Sequence, residues 1–188
     1  MAHDPALDAH EHAEHAEHAA HEHDPLISKI TITVAMLAVL AAVAGSLETV
    51  EGGRALGAAS DAVLKQDQAT DSWNEFQADG LKRHIYTIAS GSGGALAAGY
   101  GKTAQKEGAK QDKDRKEALD FERERDVLSR ESQGHESRHH WLTGAATLFE
   151  IGIAMSTVAI ITRRHWLWYA ATTFGIGGLL LLGTAYLF

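Results

Sequence analysis

The chain has 188 residues, 45% of them hydrophobic, no cysteine and a formal net charge of −8. Lack of cysteine excludes disulfides, thiolate metal ligation and thiol catalysis, and basic residues interleaved with acids exclude the continuous positive patch that nucleic acid requires. The apolar residues are concentrated in three blocks, 30–47, 142–161 and 166–188, a pattern that an average over the whole chain conceals.

Residues 1–26 are a His/Glu/Ala-rich tail, and between Ala2 and Asp24 no apolar side chain is larger than Leu7. Such a segment cannot bury a core, and it is expected to be disordered or transiently helical when free. After His3, its histidines His10, His12, His15, His18, His21 and His23 alternate with carboxylates. Neutral imidazoles beside carboxylates are natural ligands for zinc, nickel, cobalt or copper(II), so these six are candidate ligands for a divalent transition metal, and no cofactor is required otherwise. They also gain charge as the pH drops towards 6. His10-Glu11 is followed by Glu14 rather than a second histidine, which rules out a zinc-protease helix. The tail is acidic rather than basic, unlike a signal peptide, so the apolar block that follows is expected to be kept as an anchor.

The first span is placed at residues 27–47. Ala38 with Ala42, and Ala41 with Gly45, stand four apart and would let another helix approach closely. The helical pattern runs on past Leu47, with Leu56, Ala59, Val63, Gln66, Thr70, Trp73, Phe76, Leu81, Ile85 and Ile88 recurring at threes and fours. This spacing predicts one face of a long amphipathic helix. Gly52-Gly53 and Gly57 weaken its first turns and mark a candidate hinge. A glycine-rich tip near residues 90–101 ends the helix.

Residues 102–140 are helix-compatible but highly charged. Opposite charges fall at helical spacing: Asp112 with Lys116, Lys113 with Glu117, Asp120 with Arg123, Glu122 with Arg125, Asp126 with Arg130. Each such pair contributes only about 0.2 to 0.5 kcal/mol. The apolar face is thin, made of Ala104, Ala118, Leu119, Phe121, Val127 and Leu128. Residues 48–140 are therefore expected to fold into a long antiparallel, coiled-coil-like hairpin whose sparse core is completed by further copies or by another protein. The interface candidates there are Trp73, Phe76, Leu81 and Ile85.

Residues 141–188 form a second hairpin, with spans at 142–161 and 166–188 joined by Thr162-Arg163-Arg164-His165. Both are long enough for a hydrocarbon core of about 30 Å. The fold class is thus an all-α membrane protein with three transmembrane helices and a helical hairpin between the first and second. Trp141, Trp166, Trp168, Tyr169 and Tyr186 read as interfacial belts, and Arg163 and Arg164, with Trp166 and Trp168, as topology and interface anchors. The positive-inside bias of the short loop places the N-terminus and the 162–165 turn in the cytoplasm and residues 48–140 in the periplasm. Gly175, Gly177, Gly178 and Gly183 offer the third span a smooth surface, which Gly144 and Gly152 match on the second. Packing inside the hairpin is the simpler use of it; Gly175 and Gly178 are also interface candidates.

Two runs resemble a known family. One is Gln68-Ala69-Thr70-Asp71-Ser72-Trp73-Asn74-Glu75-Phe76-Gln77-Ala78 followed by Leu81-Lys82-Arg83-His84-Ile85. The other, more specific, is Ala146-Thr147-Leu148-Phe149-Glu150-Ile151-Gly152-Ile153-Ala154 with Thr162-Arg163-Arg164 and Trp166-Leu167-Trp168-Tyr169. Together they are similar to an uncharacterised bacterial membrane-protein family, catalogued as domain of unknown function 4337, over residues 28–188. The resemblance implies an architecture of one span, a helical segment and two spans, and implies no activity.

Glu150 is the sharpest single feature. A carboxylate near the middle of a span costs on the order of 3 kcal/mol, so it should face protein or water. It is expected in neutral form, hydrogen-bonded to another helix through Ser156, Thr143, Thr172 or Thr173. The competing reading makes it a proton or cation site. His135, His139 and His140, just before the second span, are a further candidate metal or pH site. No nucleophile elbow or phosphate loop is present, so an enzyme is not expected and no small-molecule substrate is evident. The leading expectation is a bacterial inner-membrane scaffold or accessory subunit, surrounded by lipid and bound to its own copies or to another membrane complex. The alternative is a metal- or proton-handling component using the tail and Glu150.

Overall fold

A computed structural model describes residues 25–187, and among them every regular element is a helix. Helix α1 runs Pro25–Gly91, α2 runs Ala97–Thr162 and α3 runs His165–Leu187. Each contains a stretch long and apolar enough to cross a membrane. Residues 1–24, with the six candidate metal-ligating histidines of the tail, lie outside the described residues.

Among the described residues the one proline, Pro25, opens α1, where its missing N–H is one of the donors a helix leaves unpaired in any case. Helix α1 passes through Gly52, Gly53 and Gly57 without interruption. The turn between α1 and α2 is tighter than the glycine content implies. Only Gly93 and Gly94 adopt the positive φ that glycine tolerates, at 81° and 99°, while Gly99 and Gly101 already belong to α2. Between α2 and α3 the chain turns at Arg163, which takes a left-handed φ of 51°.

The chain divides into two compact units. The described part of the first comprises residues 25–55 and 133–187. Its core is made by Ile30, Val34, Leu37, Ala38, Ala41 and Ala44 of α1, Leu142, Ala145, Ala146, Phe149, Ile153 and Ala159 of α2, and Leu167 of α3. Ala42, expected in the packing seam, is exposed, and Ala44 takes the inward position. Phe149 and Ile30 are fully buried. The glycines of α3 make close packing available, as expected. A Cβ on Gly178 would stand 2.7 Å from the Phe149 ring, and one on Gly175 would stand 2.6 Å from Leu37. Gly152 of α2 is as tight, its missing Cβ lying 3.2 Å from the Ala171 carbonyl oxygen. Gly175 and Gly178 are both buried and so serve contacts within the chain.

The second unit, Leu56–Ser132, pairs the remainders of α1 and α2 antiparallel. Trp73 Nε1 donates to Glu122 at 2.8 Å, Lys65 meets Glu124 at 2.6 Å, and Gln111 donates to the Phe76 carbonyl at 3.4 Å. The face of α1 that makes these contacts differs from the one predicted. Ala58, Ala69, Ser72 and Asp79 are buried, whereas Leu56, Val63, Leu81, Ile85 and Ile88 are 56–75% exposed. At 3.6 residues per turn those five large side chains fall within about 60° of arc, on the side turned away from α2. Trp73 and Phe76 are half-buried and pack edge to face with ring centroids 5.4 Å apart. The facing side of α2 buries Glu107, Asp114 and Ala118. Small side chains on α1 meet this polar surface, and Asp114 Oδ2 still has no hydrogen-bond partner among the described residues. Of the charge pairs expected along α2, Lys113–Glu117 and Asp120–Arg123 form, at 3.2 and 2.8 Å. Arg125 instead holds Asp126 and Gln66, and Glu122 is taken by Trp73.

Candidate functional site: a buried carboxylate–histidine pair and an outward-facing carboxyl

The first unit's apolar core ends in a cluster of polar side chains. Glu48 and Glu51 stand three apart on α1, and His135, Arg138, His139 and Thr143 recur at threes and fours on α2, so each set shares one helix face. His135 Nδ1 lies 2.6 Å from Glu51 Oε2, Arg54 reaches Glu51 Oε1 at 3.0 Å, and Arg138 stands 3.8 Å away. Next to this pair, Thr143 Oγ1 donates to Glu48 Oε1 at 2.7 Å, and His139 Nδ1 is 3.1 Å from the Glu48 carbonyl oxygen. Gly52 permits this approach, since a Cβ there would meet the His139 ring at 3.2 Å.

Glu51 is only 3% exposed. The hydrogen bond from His135 holds its carboxyl below the ordinary value of 4.5 against the opposing effect of burial, with further help from the charges of His135, Arg54 and Arg138. The arrangement can hold a proton between Glu51 and His135 and ties α1 to α2 through charge-assisted bonds. The sequence offers His135, His139 and His140 as a metal or pH site, with nothing local to pair them with Glu48 or Glu51. Among the described residues no group of three or more His, Asp or Glu has metal-binding geometry. His140 is exposed and 3.9 Å from Glu136, outside the cluster.

Glu150 is placed differently from expectation. It is exposed on the outer side of α2, and none of the four expected hydroxyl partners reaches it. Thr143 donates to Glu48 and to the His139 carbonyl, Thr172 and Thr173 turn back to carbonyls of α3, and Ser156 is fully buried on the inward side. The reason is angular. Phe149 and Ile153 point into the core, which at 100° per residue turns Glu150 outward.

The remaining predicted residues sort by depth. Trp141, Trp166, Tyr169 and Tyr186 are 43–62% exposed. Trp168 turns inward and donates from Nε1 to Thr33 Oγ1 at 3.0 Å, so it joins α3 to α1. Arg163 and Arg164 are exposed at the α2–α3 turn. The family model described as Domain of unknown function (DUF4337) matches residues 26–188. The chain belongs to this family. Within the family match lie both the Glu51–His135 pair and Glu150, whereas the histidine tail precedes it. No curated protein and no solved structure matches the chain.

Proposed function

We propose that this chain is a non-enzymatic, multi-pass protein of the bacterial inner membrane, an oligomerising scaffold or accessory subunit that recruits its own copies or another membrane complex. One observation carries the reading. In the second unit the only hydrophobic residues that are buried are Ala58, Ala69 and Ala118, while Leu56, Val63, Leu64, Leu81, Ile85, Ile88 and Val127 are 54–75% exposed. A helical pair with large aliphatic side chains in water and alanines inside buries little of its own apolar surface, and an exposed apolar stripe marks an interaction surface. Its interior is polar as well: Asp114 Oδ2 and Gln68 Oε1 are buried without a hydrogen-bond partner among the described residues.

In this reading the tail and the Arg163-Arg164 turn are cytoplasmic and residues 48–140 periplasmic, following the positive-inside bias of the short loop. The test is the mass of the full chain in mild detergent by light scattering, with crosslinking in native membranes. Oligomer or a captured membrane partner is expected, and Leu81→Glu with Ile85→Glu should reduce it. A lone monomer in detergent with no crosslinked product in membranes overturns the reading.

A further inference from the structure

We infer that two copies of this chain meet within the bilayer along the outer face of α2, with Glu150 of each copy hydrogen-bonded to Glu150 of the other. The inference rests on the membrane-spanning, oligomerising reading above and specifies the contact. It starts from a contrast among the outward faces of the first unit. Between Ile30 and Leu47 the large exposed side chains of α1 are Ile32, Met36, Val39 and Val43, and those of α3 include Ile176, Leu179 and Leu180, which is what hydrocarbon accepts. On α2, Ile151 and Val158 are likewise exposed, but so is Glu150, next to Ile151. It is the one acidic or basic residue between Thr143 and Ile161.

Depth makes this position costly. Glu150 lies nine residues after Trp141 and twelve before Thr162, about 13 Å and about 18 Å along the helix axis. That is the middle of the span, where an acid left in lipid costs on the order of 3 kcal/mol. The chain's own hydroxyls are engaged or turned elsewhere, so the group that meets Glu150 comes from outside the chain.

A second copy fits by chemistry. A neutral carboxyl carries one O–H donor and one carbonyl acceptor, so two of them close a pair of hydrogen bonds with each other. An isologous two-fold contact brings a residue near the axis against its own counterpart. The face is also shaped for it: Thr147 and Ala154, both small and exposed, flank Glu150 at −3 and +4. Residues of that size let two helix backbones come close enough for side chains as short as these to meet.

The natural chain has no cysteine, so a single introduced cysteine reports one contact. The full chain in native membranes is oxidised after Thr147→Cys, Ala154→Cys or, as a control on the outward face of α3, Ile176→Cys. Dimer is expected at positions 147 and 154 at least several-fold above position 176. Adding Glu150→Leu should cut that yield several-fold, whereas Glu150→Gln should keep it, because an amide is also donor and acceptor at once. Circular dichroism of each variant in detergent checks that the helices are retained, and where Glu150→Leu does not fold the Gln variant and the 147, 154 and 176 comparison still decide. Equal yields at 147, 154 and 176 overturn the inference, as do undiminished yields with a folded Glu150→Leu, loss with a folded Glu150→Gln, or a crosslink from 154 to a different protein in place of the dimer. Leu81→Cys separates this failure from that of the parent reading. Dimer at 81 without dimer at 147 or 154 removes the Glu150 contact and leaves oligomerisation standing, and absence at all three removes both.

Discussion

The Glu51–His135 pair makes the most quantitative claim on this protein. Glu51 is 3% exposed and accepts from His135 at 2.6 Å, with Arg54 at 3.0 Å as second partner. A hydrogen bond to a charged group contributes about 1.5 to 3 kcal/mol, and a buried group that loses its partner is penalised further. His135→Ala leaves Arg54 in place, so a loss of about 1.5 kcal/mol is expected. Glu51→Gln removes the charge that both neighbours address and should cost about 2 to 3 kcal/mol. The double variant should cost less than the sum, with a coupling of about 1 to 2 kcal/mol. Denaturant titration of the full chain in detergent, followed by tryptophan fluorescence, measures all three, since Trp141 and Trp168 both lie in the same unit as the pair. The pH dependence has a definite sign. Because folding lowers the Glu51 value below 4.5, its contribution is complete above 4.5 and is lost as the pH falls through the folded value. A coupling within about 0.5 kcal/mol of zero at pH 7 would mean that the pair is incidental to the packing of α1 on α2.

Three further outcomes follow from the same unit and from the tail. Gly178→Ala sets a Cβ 2.7 Å from the fully buried Phe149 ring and should destabilise by about 1 to 3 kcal/mol. Gly183→Ala, which meets nothing within 4 Å, should stabilise by up to about 1 kcal/mol through helix propensity; the two titrated side by side test the packing directly. Trp168→Phe and Thr33→Val each remove the one 3.0 Å bond between α3 and α1 and should each cost about 0.5 to 1.5 kcal/mol, with the double variant no worse than the larger single in thermal melting. Calorimetric titration of the full chain with zinc or nickel should show binding that a chelator reverses, that deletion of residues 1–24 abolishes, and that weakens as the imidazoles protonate below about pH 6.5.

The helices and their apolar blocks were legible in the sequence because composition and length alone decide them: uninterrupted helix-compatible runs, two prolines confined to the first 25 residues, and glycines clustered at one tip. The use of Gly175, Gly178 and Gly152 for close packing inside the chain was legible for the same reason, since small residues in apolar helices have few other uses. The facing of α1 in the second unit was not. Periodicity shows that Leu56, Val63, Leu81, Ile85 and Ile88 share a face, but it cannot show which of two faces meets the neighbouring helix. That choice was settled by α2, whose inward side carries Glu107 and Asp114, side chains that need hydrogen-bonding neighbours rather than leucines. The Glu51–His135 pair was hidden by distance along the chain: the two residues are 84 apart, and their meeting depends on the register of α1 against α2. The nearest signal was Gly52, which reads locally as a weakness in a helix and in three dimensions as room for His139.

The same measurement, outward exposure, carries opposite weight in the two units. In the proposed membrane-spanning reading, outward Ile32, Met36, Val39, Ile176 and Leu180 of residues 25–55 and 133–187 suit a bilayer, because lipid is as apolar as they are and nothing is gained by covering them. The anomaly there is the single outward carboxyl. In the same reading Leu56–Ser132, with charged side chains at about a third of its positions, lies in water, and the anomaly is the outward stripe of leucine, valine and isoleucine. Each exposure is unfavourable only in its own surroundings, and the two are opposite in chemistry, so no single lipid or water boundary relieves both. In the proposed reading each is relieved by a contact of its own with another copy: carboxyl against carboxyl in the first unit, aliphatic stripe against aliphatic stripe in the second.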